Sequence, residues 1–227
     1  MSRRPLPPGQ HERPHLERFG LGWFADRLGF DHQTLNLEID GDVAKVGCLH
    51  DLQTLPRITQ QSDFHCVTTW SVRDVSWSGV RFRDFYDFCV ARHGVAQDVV
   101  CVALHGLDGY RSALPITDLL ADDVLLADSL EGQPLPLAHG APLRLVAPAH
   151  YGYKSVKHLQ RIEFLREPGR YRFAFPYPQF IDHPRARVAL EERARWWPAW
   201  LLRPFYQLLA PLARRRSRQT LSRHMER

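Results

Sequence analysis

The sequence predicts an α+β fold in which short antiparallel β-strands predominate. Runs of strand-forming residues are separated by turn dipeptides, among them Asp108-Gly109, Glu131-Gly132 and His139-Gly140. The pattern contains one clear amphipathic helix and lacks the long helices that alternate with strands in a doubly wound parallel sheet. At 227 residues the chain is long enough for one large domain with an appendage.

The predicted strands follow a Pro-rich, extended N-terminal arm at residues 1–18. The run 34–39 alternates apolar and polar residues and ends at the turn signal Asp40-Gly41. Residues 43–47 are therefore expected to pair back on it as a hairpin. Further strands are predicted at 64–70, 99–105, 124–127 and 143–148.

The clearest helix is predicted over residues 81–94. Phe82, Phe85 and Cys89 recur at helical spacing, and Gly94 follows as the C-terminal cap. Three further helical segments are expected, at 116–122, from near Ser155, and at 185–195.

Composition and charge exclude several classes of protein. Hydrophobic residues make up 44% and charged residues 24% of the chain, which is ordinary globular usage and disfavours disorder, fibrous repeats and a multi-span membrane protein. The net charge is +5, yet residues 185–227 hold eleven arginines against three glutamates. Because the basic excess is local and no recognition motif accompanies it, a nucleic-acid partner is not predicted.

The four cysteines, Cys48, Cys66, Cys89 and Cys101, contain no C-x-x-C pair and no short-spaced Cys/His set. This spacing excludes a zinc ribbon, a redox dithiol and a disulfide scaffold. No apolar run follows Arg3-Arg4, so the sequence predicts a protein of the cytoplasm with reduced thiols.

Cys66 lies in the β-type run Phe64–Ser71, next to polar Thr68 and Thr69. One interpretation is a buried structural thiol, as most free cysteines are. The other is a thiolate nucleophile or a ligand for a soft metal centre. Residue types alone leave both open.

A second segment, 139–164, places Arg144 on a strand and then enters a Gly-containing turn. Gly152, the potential cap Ser155 and the lysines Lys154 and Lys157 precede the expected helix. Free N–H groups and positive charge at a helix start favour a phosphate. The alternative is an ordinary solvated surface.

Together the two segments resemble the molybdopterin-binding domain of the sulfite oxidase family over about residues 14–168. The resemblance is to small prokaryotic members related to the periplasmic methionine sulfoxide reductase catalytic subunit. It implies a sulfite-oxidase-like fold of mixed β-sheets or a barrel with short helices, at 19–168, between the arm and a helical tail at 169–227. The matching residues are Cys66, Trp70-Ser71, Trp77-Ser78-Gly79-Val80, Asp108-Gly109-Tyr110, 123–127, 132–135 and the block 140–157.

The resemblance also implies site residues. Cys66 would ligate molybdenum, and Tyr110 would donate a hydrogen bond in the substrate pocket or anchor a turn. His139 takes the place of a cofactor-binding asparagine. The remaining expected cofactor contacts are Phe19, Gly20, Arg144, Ser155, Val156 and Lys157.

The activity implied is oxygen-atom transfer or related two-electron chemistry on a small oxo-substrate, with an unknown electron-transfer partner. Sulfite oxidases follow the cysteine with an Asn-Arg-Arg type segment, whereas this chain has Val67-Thr68-Thr69-Trp70. Sulfite is therefore not the expected substrate. The alternative is a non-catalytic binding module that docks through its tail.

The tail contains a Pro-broken aromatic stretch at 196–213, followed by Arg214, Arg215, Arg216 and Arg218. An apolar segment of this length and with these interruptions is marginal for crossing a bilayer. Residues 196–218 are suited to peripheral contact with an anionic membrane or a membrane partner. The alternative is that the aromatic side chains pack back on the domain.

Overall fold

The computed structural model describes residues 4–17, 24, 27, 35–50, 52–173, 179–208 and 211. Its strands form two mixed β-sheets, and the helices are short, so the predicted α+β class is confirmed. The strands are β1 (His11–Glu12), β2 (Leu37–Gly41), β3 (Gly47–Leu49), β4 (Arg57–His65), β5 (Trp70–Arg81), β6 (Cys101–Gly106), β7 (Arg111–Pro115), β8 (Leu125–Leu130), β9 (Gln133–Pro134), β10 (Arg144–Val146) and β11 (Leu159–Leu165). The helices are α1 (Phe82–His93), α2 (Ile116–Leu119) and α3 (199–208).

The first sheet has the order β1-β5-β8-β10, with β4 also paired to β5 and β9 to β8. Its centre is the long strand β5, in which Gly79 passes close to the neighbouring backbone. A Cβ at Gly79 would lie 2.1 Å from the carbonyl oxygen of Leu126, so only glycine fits there. The N-terminal arm adds β1 in parallel to β5, with His11 opposite Trp70.

The second sheet has the order β3-β2-β11-β6-β7. Strands β2 and β3 form a hairpin, as predicted, with Leu37 opposite Leu49. Its second strand is Gly47–Leu49 and not the predicted 43–47, where Val43 instead bridges Val95. Strand β11 occupies residues where the sequence indicated a helix from near Ser155, and that prediction is wrong. β11 is paired on both sides, by β2 and β6, and a register irregularity between Leu159 and Arg161 interrupts its alternation.

Helix α1 confirms the main helical prediction. Gly94 adopts φ 63°, and its N–H donates to the carbonyl of Val90 at 3.2 Å. Phe82, Phe85 and Cys89 are buried in the main core, which also takes side chains from both sheets. A smaller cluster on the first sheet contains Cys66, Trp70, Val72, Val75, Trp77, Leu125, Ala127, Leu135 and Val146.

Residues 185–195 form turns rather than the predicted helix. Long-range pairing replaces helical hydrogen bonds there: the N–H of Val188 donates to Ala149 O at 3.0 Å, and the N–H of Tyr151 donates to Ala186 O at 2.9 Å. Lys154 and Asp182 form a buried ion pair of 2.6 Å beneath this segment. Residues 179–195 are thus held tightly against the loop that follows β10.

Candidate cofactor site

Cys66 lies in the tight turn that connects β4 to β5. The N–H of Cys66 donates to Trp70 O at 2.8 Å, and the N–H of Thr69 donates back to Cys66 O at 3.2 Å. Thr69 has φ 74°, a conformation that ends extended structure. The predicted continuous strand 64–70 is therefore wrong, because strand pairing stops at His65 and resumes at Trp70.

The Cys66 thiol is buried and lies next to the hydroxyl of Thr68. Its Sγ lies 3.1 Å from Thr68 Oγ1. Burial raises the pKa of the Cys66 thiol, while the Thr68 hydrogen bond and the charges of Arg193 and Lys157 oppose that shift. A thiolate at this position therefore needs a further electropositive group, which is what a bound metal ion provides.

The N-terminal arm is hydrogen-bonded to the turn. Gln10 donates through Nε2 to Cys66 O at 3.3 Å and accepts from the hydroxyl of Ser71 at 3.1 Å. The N–H of His11 donates to Thr69 O at 3.0 Å. The His65 ring nitrogen Nδ1 lies 2.7 Å from Ser71 Oγ, and burial lowers the pKa of His65. Nothing in the sequence pattern indicated that Gln10 reaches this turn.

Arg144 is fully buried at the start of β10. Its guanidinium donates to His139 O at 2.8 Å and to Ser155 O at 3.4 Å, and it lies over the Trp77 ring. Among the described residues no carboxylate pairs with it, and burial lowers its pKa to about 10. A buried cation without an anion is unfavourable, so this position suits an anionic group of a ligand.

The segment 151–158 forms consecutive turns that lead into β11. No helix begins at Ser155, so the expected contribution of a helix N-terminus to phosphate binding is wrong. Both Lys154 and Lys157 were expected to offer positive charge to a phosphate. Lys154 does not fit that role, because it is buried and donates to Asp182. Lys157 is half-buried, and its Nζ lies 3.4 Å from Ala138 O.

Gly140 brings the predicted phosphate-binding residues together. With φ 116°, it packs so closely that a Cβ would lie 3.0 Å from Lys157 Cβ and 3.2 Å from Arg144 Cβ. His139 precedes it in a single 3-10 turn. Ser155 accepts a hydrogen bond from Ala147 N at 3.2 Å, and the carbonyl of buried Val156 accepts from Leu145 N at 2.9 Å.

The Tyr110 side chain is hydrogen-bonded to the loop that follows β10. Its hydroxyl donates to Tyr153 O at 2.7 Å, and its ring contacts Phe24 and Phe173 edge to face. Burial raises its pKa well above the usual value. A catalytic role for Tyr110 stays a prediction, and the expected contacts Phe19 and Gly20 lie outside the described residues.

Arg193, like Gln10, is a residue of this site that the sequence pattern did not indicate. It is fully buried, donates to Val67 O and Gly9 O, and stacks 5.0 Å from the centre of the Tyr151 ring. Its partner Val67 lies 126 positions away along the chain, so no local pattern could have indicated the contact. Within the described residues, no three His, Cys, Asp or Glu side chains converge as a metal cluster.

A buried thiol at a hairpin turn, with buried and half-buried cations nearby, defines a cofactor-binding domain on a two-sheet α+β scaffold. The chain belongs to the oxidoreductase molybdopterin-binding domain family, whose model matches residues 25–173. The chain is therefore an oxidoreductase enzyme, and molybdopterin is its cofactor. The predicted family, enzyme class and cofactor are confirmed.

Individual relatives agree with this assignment. The uncharacterized oxidoreductase YuiH of Bacillus subtilis is 39% identical over 165 residues, covering 71% of this chain and 80% of YuiH. The protein-methionine-sulfoxide reductase catalytic subunit MsrP of Xanthomonas campestris is 29% identical over 182 residues, covering 70% of this chain and 56% of MsrP. The chain thus spans little more than half the length of MsrP.

A solved structure confirms the predicted sulfite-oxidase-like fold. The sulfane dehydrogenase SoxCD from Paracoccus pantotrophus superposes with a TM-score of 0.53 at 24% identity. The match covers 61% of this chain and 40% of the SoxCD chain. At this identity the likeness concerns the fold alone.

The side chains present fit a bound molybdopterin. The buried, uncompensated guanidinium of Arg144 and the nearby Lys157 suit its phosphate, and the Cys66 thiol is a soft donor that suits molybdenum. The site thus offers separate places for the metal end and the anionic end of the cofactor.

Proposed function

We propose that the enzyme carries out oxygen-atom transfer at a molybdenum centre that Cys66 ligates. The observation that carries this proposal is the buried Cys66 thiol, next to Thr68 and within the electrostatic reach of Lys157 and Arg193. When bound, molybdopterin supplies the two-electron redox chemistry, as cofactors generally do. The protein then contributes placement, exclusion of water and charge.

Each nearby residue has a separate task in this proposal. Arg144 and Lys157 hold the phosphate, Arg144 through its planar guanidinium and Lys157 as a point charge. Ser155 and Val156 keep the intervening loop in place through their backbone and hydroxyl contacts. Thr68 orients the Cys66 sulfur, and Gln10 restrains the turn that carries it.

A neutral oxo-compound such as a sulfoxide is the substrate class we favour. The residues that follow Cys66 are Val67, Thr68 and Thr69, so the turn presents no cation for an oxyanion. The similarity to MsrP supports the same class. Reduction of a sulfoxide takes two electrons and two protons, releases water and leaves the thioether; the electrons come from a redox partner protein.

The C-terminal aromatic residues are proposed to meet that partner at a membrane surface. Trp196, Trp197, Trp200, Phe205 and Leu208 are exposed, so among the described residues these side chains do not pack back on the domain. Arginines at 214–218 add attraction for anionic lipid headgroups. The same proposal places the enzyme on the cytoplasmic side of the membrane.

The described part of the chain has no helix that is both long and apolar enough to cross a bilayer. The name of MsrP, a catalytic subunit, is consistent with a separate subunit that supplies electrons.

The proposed function is tested by metal analysis. Full-length protein made in a host that synthesises the molybdenum cofactor should hold about one molybdenum per chain, since the site offers one thiolate. Cys66→Ser should lose the metal, whereas Cys48→Ser, which changes an exposed thiol, should keep it. Molybdenum content that is unchanged in Cys66→Ser would contradict the ligand assignment. Turnover on sulfoxides with a chemical reductant then tests the substrate class.

A further inference from the structure

Three separate parts of the chain meet behind the Cys66 turn. Arg193 comes from the segment after residue 173, where the family match ends, and it donates to Val67 O within the turn. The same guanidinium donates to Gly9 O in the N-terminal arm at 3.3 Å. Arg193 therefore links the turn to both ends of the described chain.

Arg193 is itself held by an ion-pair network that includes Glu191 and Arg203. Its Nη2 lies 3.4 Å from Glu191 Oε1, and the same carboxylate pairs with Arg203, whose Nε donates to Oε1 at 2.8 Å. Arg203 lies on α3, so the position of this helix is coupled to the position of Arg193. Two arginines share one carboxylate, which leaves the group with a net positive charge beside the Cys66 turn.

Gly9 gives independent geometric support for this arrangement. It has φ 67°, and a Cβ there would lie 2.7 Å from Arg203 Nε, 2.7 Å from Glu191 Oε1 and 2.9 Å from Arg193 Nη2. The N-terminal arm therefore packs directly on all three charged groups. A side chain at this position would push them apart.

Helix α3 carries a second partly buried residue close to Arg203 in the sequence. Tyr206 follows Arg203 by three positions and so lies on the same helical face. It is half-buried, whereas Phe205 and Leu208 of the same helix are exposed. Burial raises the pKa of the Tyr206 hydroxyl to about 12, and the charge of Arg193 opposes that shift. The face of α3 that carries Arg203 thus packs against Glu191, while the other faces solvent.

We infer that Arg193, held through Glu191 by Arg203, is a positioning residue that fixes the Cys66–Thr69 turn, and that α3 completes the cofactor site. Arg193 reaches the turn through the backbone of Val67 and not through the reacting atoms. The inference rests on the proposed role of Cys66 as the metal ligand. It gives the C-terminal segment a function in the site, separate from any contact with a membrane.

The test measures Cys66 exposure in full-length protein isolated with its cofactor. Native alkylation with iodoacetamide, followed by peptide mass spectrometry, reports all four cysteines in one experiment, and molybdenum content is measured on the same samples. Cys89 and Cys101 are buried in the core and report global unfolding, while exposed Cys48 reports reagent efficiency.

The variants are Arg203→Ala and Gly9→Ala, with Arg193→Ala as the direct change. Each should raise the alkylation rate of Cys66 at least fivefold and lower molybdenum content, while Cys89 and Cys101 stay protected. The matched control is Arg187→Ala, which removes an ion pair to Glu192 in the same segment without touching the Cys66 turn. Its Cys66 rate should match that of the unchanged protein.

The outcomes separate the two proposals. If the unchanged protein holds no molybdenum, the proposed function fails. If it holds molybdenum, but Arg203→Ala and Gly9→Ala alkylate at Cys66 no faster than Arg187→Ala, the inference fails. Equal acceleration at Cys66, Cys89 and Cys101 would show a general stability role and would also overturn it.

Discussion

The guanidinium carbon of Arg144 lies 4.8 Å from the centre of the Trp77 ring. This contact joins two motifs that are far apart in the sequence, the Trp-Ser-Gly-Val run of β5 and the block that begins at Gly140. An aromatic face stabilises a buried cation without neutralising it. The arginine is therefore held in place and keeps its charge for an anionic ligand.

Lys157→Ala should weaken cofactor retention more than it weakens the fold. Loss of one charge-assisted hydrogen bond to phosphate, about 1.5–3 kcal/mol, corresponds to about a 10- to 150-fold loss of affinity. Molybdenum content and the fluorescence of released pterin after desalting measure the effect. The control is Lys45→Ala, since Lys45 is exposed on the β2–β3 hairpin.

The melting temperature of cofactor-free Lys157→Ala should change by about 2 °C or less, because Lys157 is only half-buried. A large fall in melting temperature with unchanged cofactor content would show that Lys157 is structural.

Lys154→Met should destabilise the protein strongly. Lys154 and Asp182 are both buried and 2.6 Å apart, so the substitution leaves a buried carboxylate without its partner. The free energy of unfolding should fall by about 3–5 kcal/mol in urea titrations. Lys154→Met combined with Asp182→Leu should recover part of that loss. A single-variant cost below about 1 kcal/mol would mean that the segment around Asp182 is not held by this pair.

Acid should destabilise the fold through its buried and half-buried histidines. Burial lowers the pKa of His150, His65 and His183 from 6.5 in the folded state. The stability that these neutral histidines contribute is therefore fully present above their unfolded-state pKa near 6.5. It is lost as the pH falls through their lower folded-state pKa values, because the unfolded chain binds more protons than the folded one in that range.

The variant that tests this pH dependence is His150→Asn, whose amide can replace the Nδ1–H group that faces Arg185 O. It should reduce the slope of unfolding free energy against pH below 6.5 by up to about 1.4 kcal/mol per pH unit. Urea unfolding at pH 5 to 7.5 measures the slope, with His15→Asn, an exposed histidine, as the control. An unchanged slope in His150→Asn would mean that His150 does not contribute.

Sequence patterns predicted the elements that depend on interactions between residues close together in the chain. Helix α1 and its Gly94 cap follow from side-chain spacing and a left-handed φ. Alternation and the Asp40-Gly41 turn signal predicted a hairpin, but its returning strand β3 begins only at Gly47. The helix expected at 185–195 failed because pairing with the Ala149–Tyr151 loop outweighs an intrinsic helical preference.

The sequence by itself determined the family, the α+β class and the set of residues suited to a molybdopterin, because residue types and their spacing are read along the chain. Only the tertiary structure decided that Cys66 lies in a turn, that Lys154 is bound by Asp182, and that Arg193 reaches Val67. The last two outcomes depend on groups 28 and 126 positions apart, and burial of a charge is stable only where the whole fold supplies its partner.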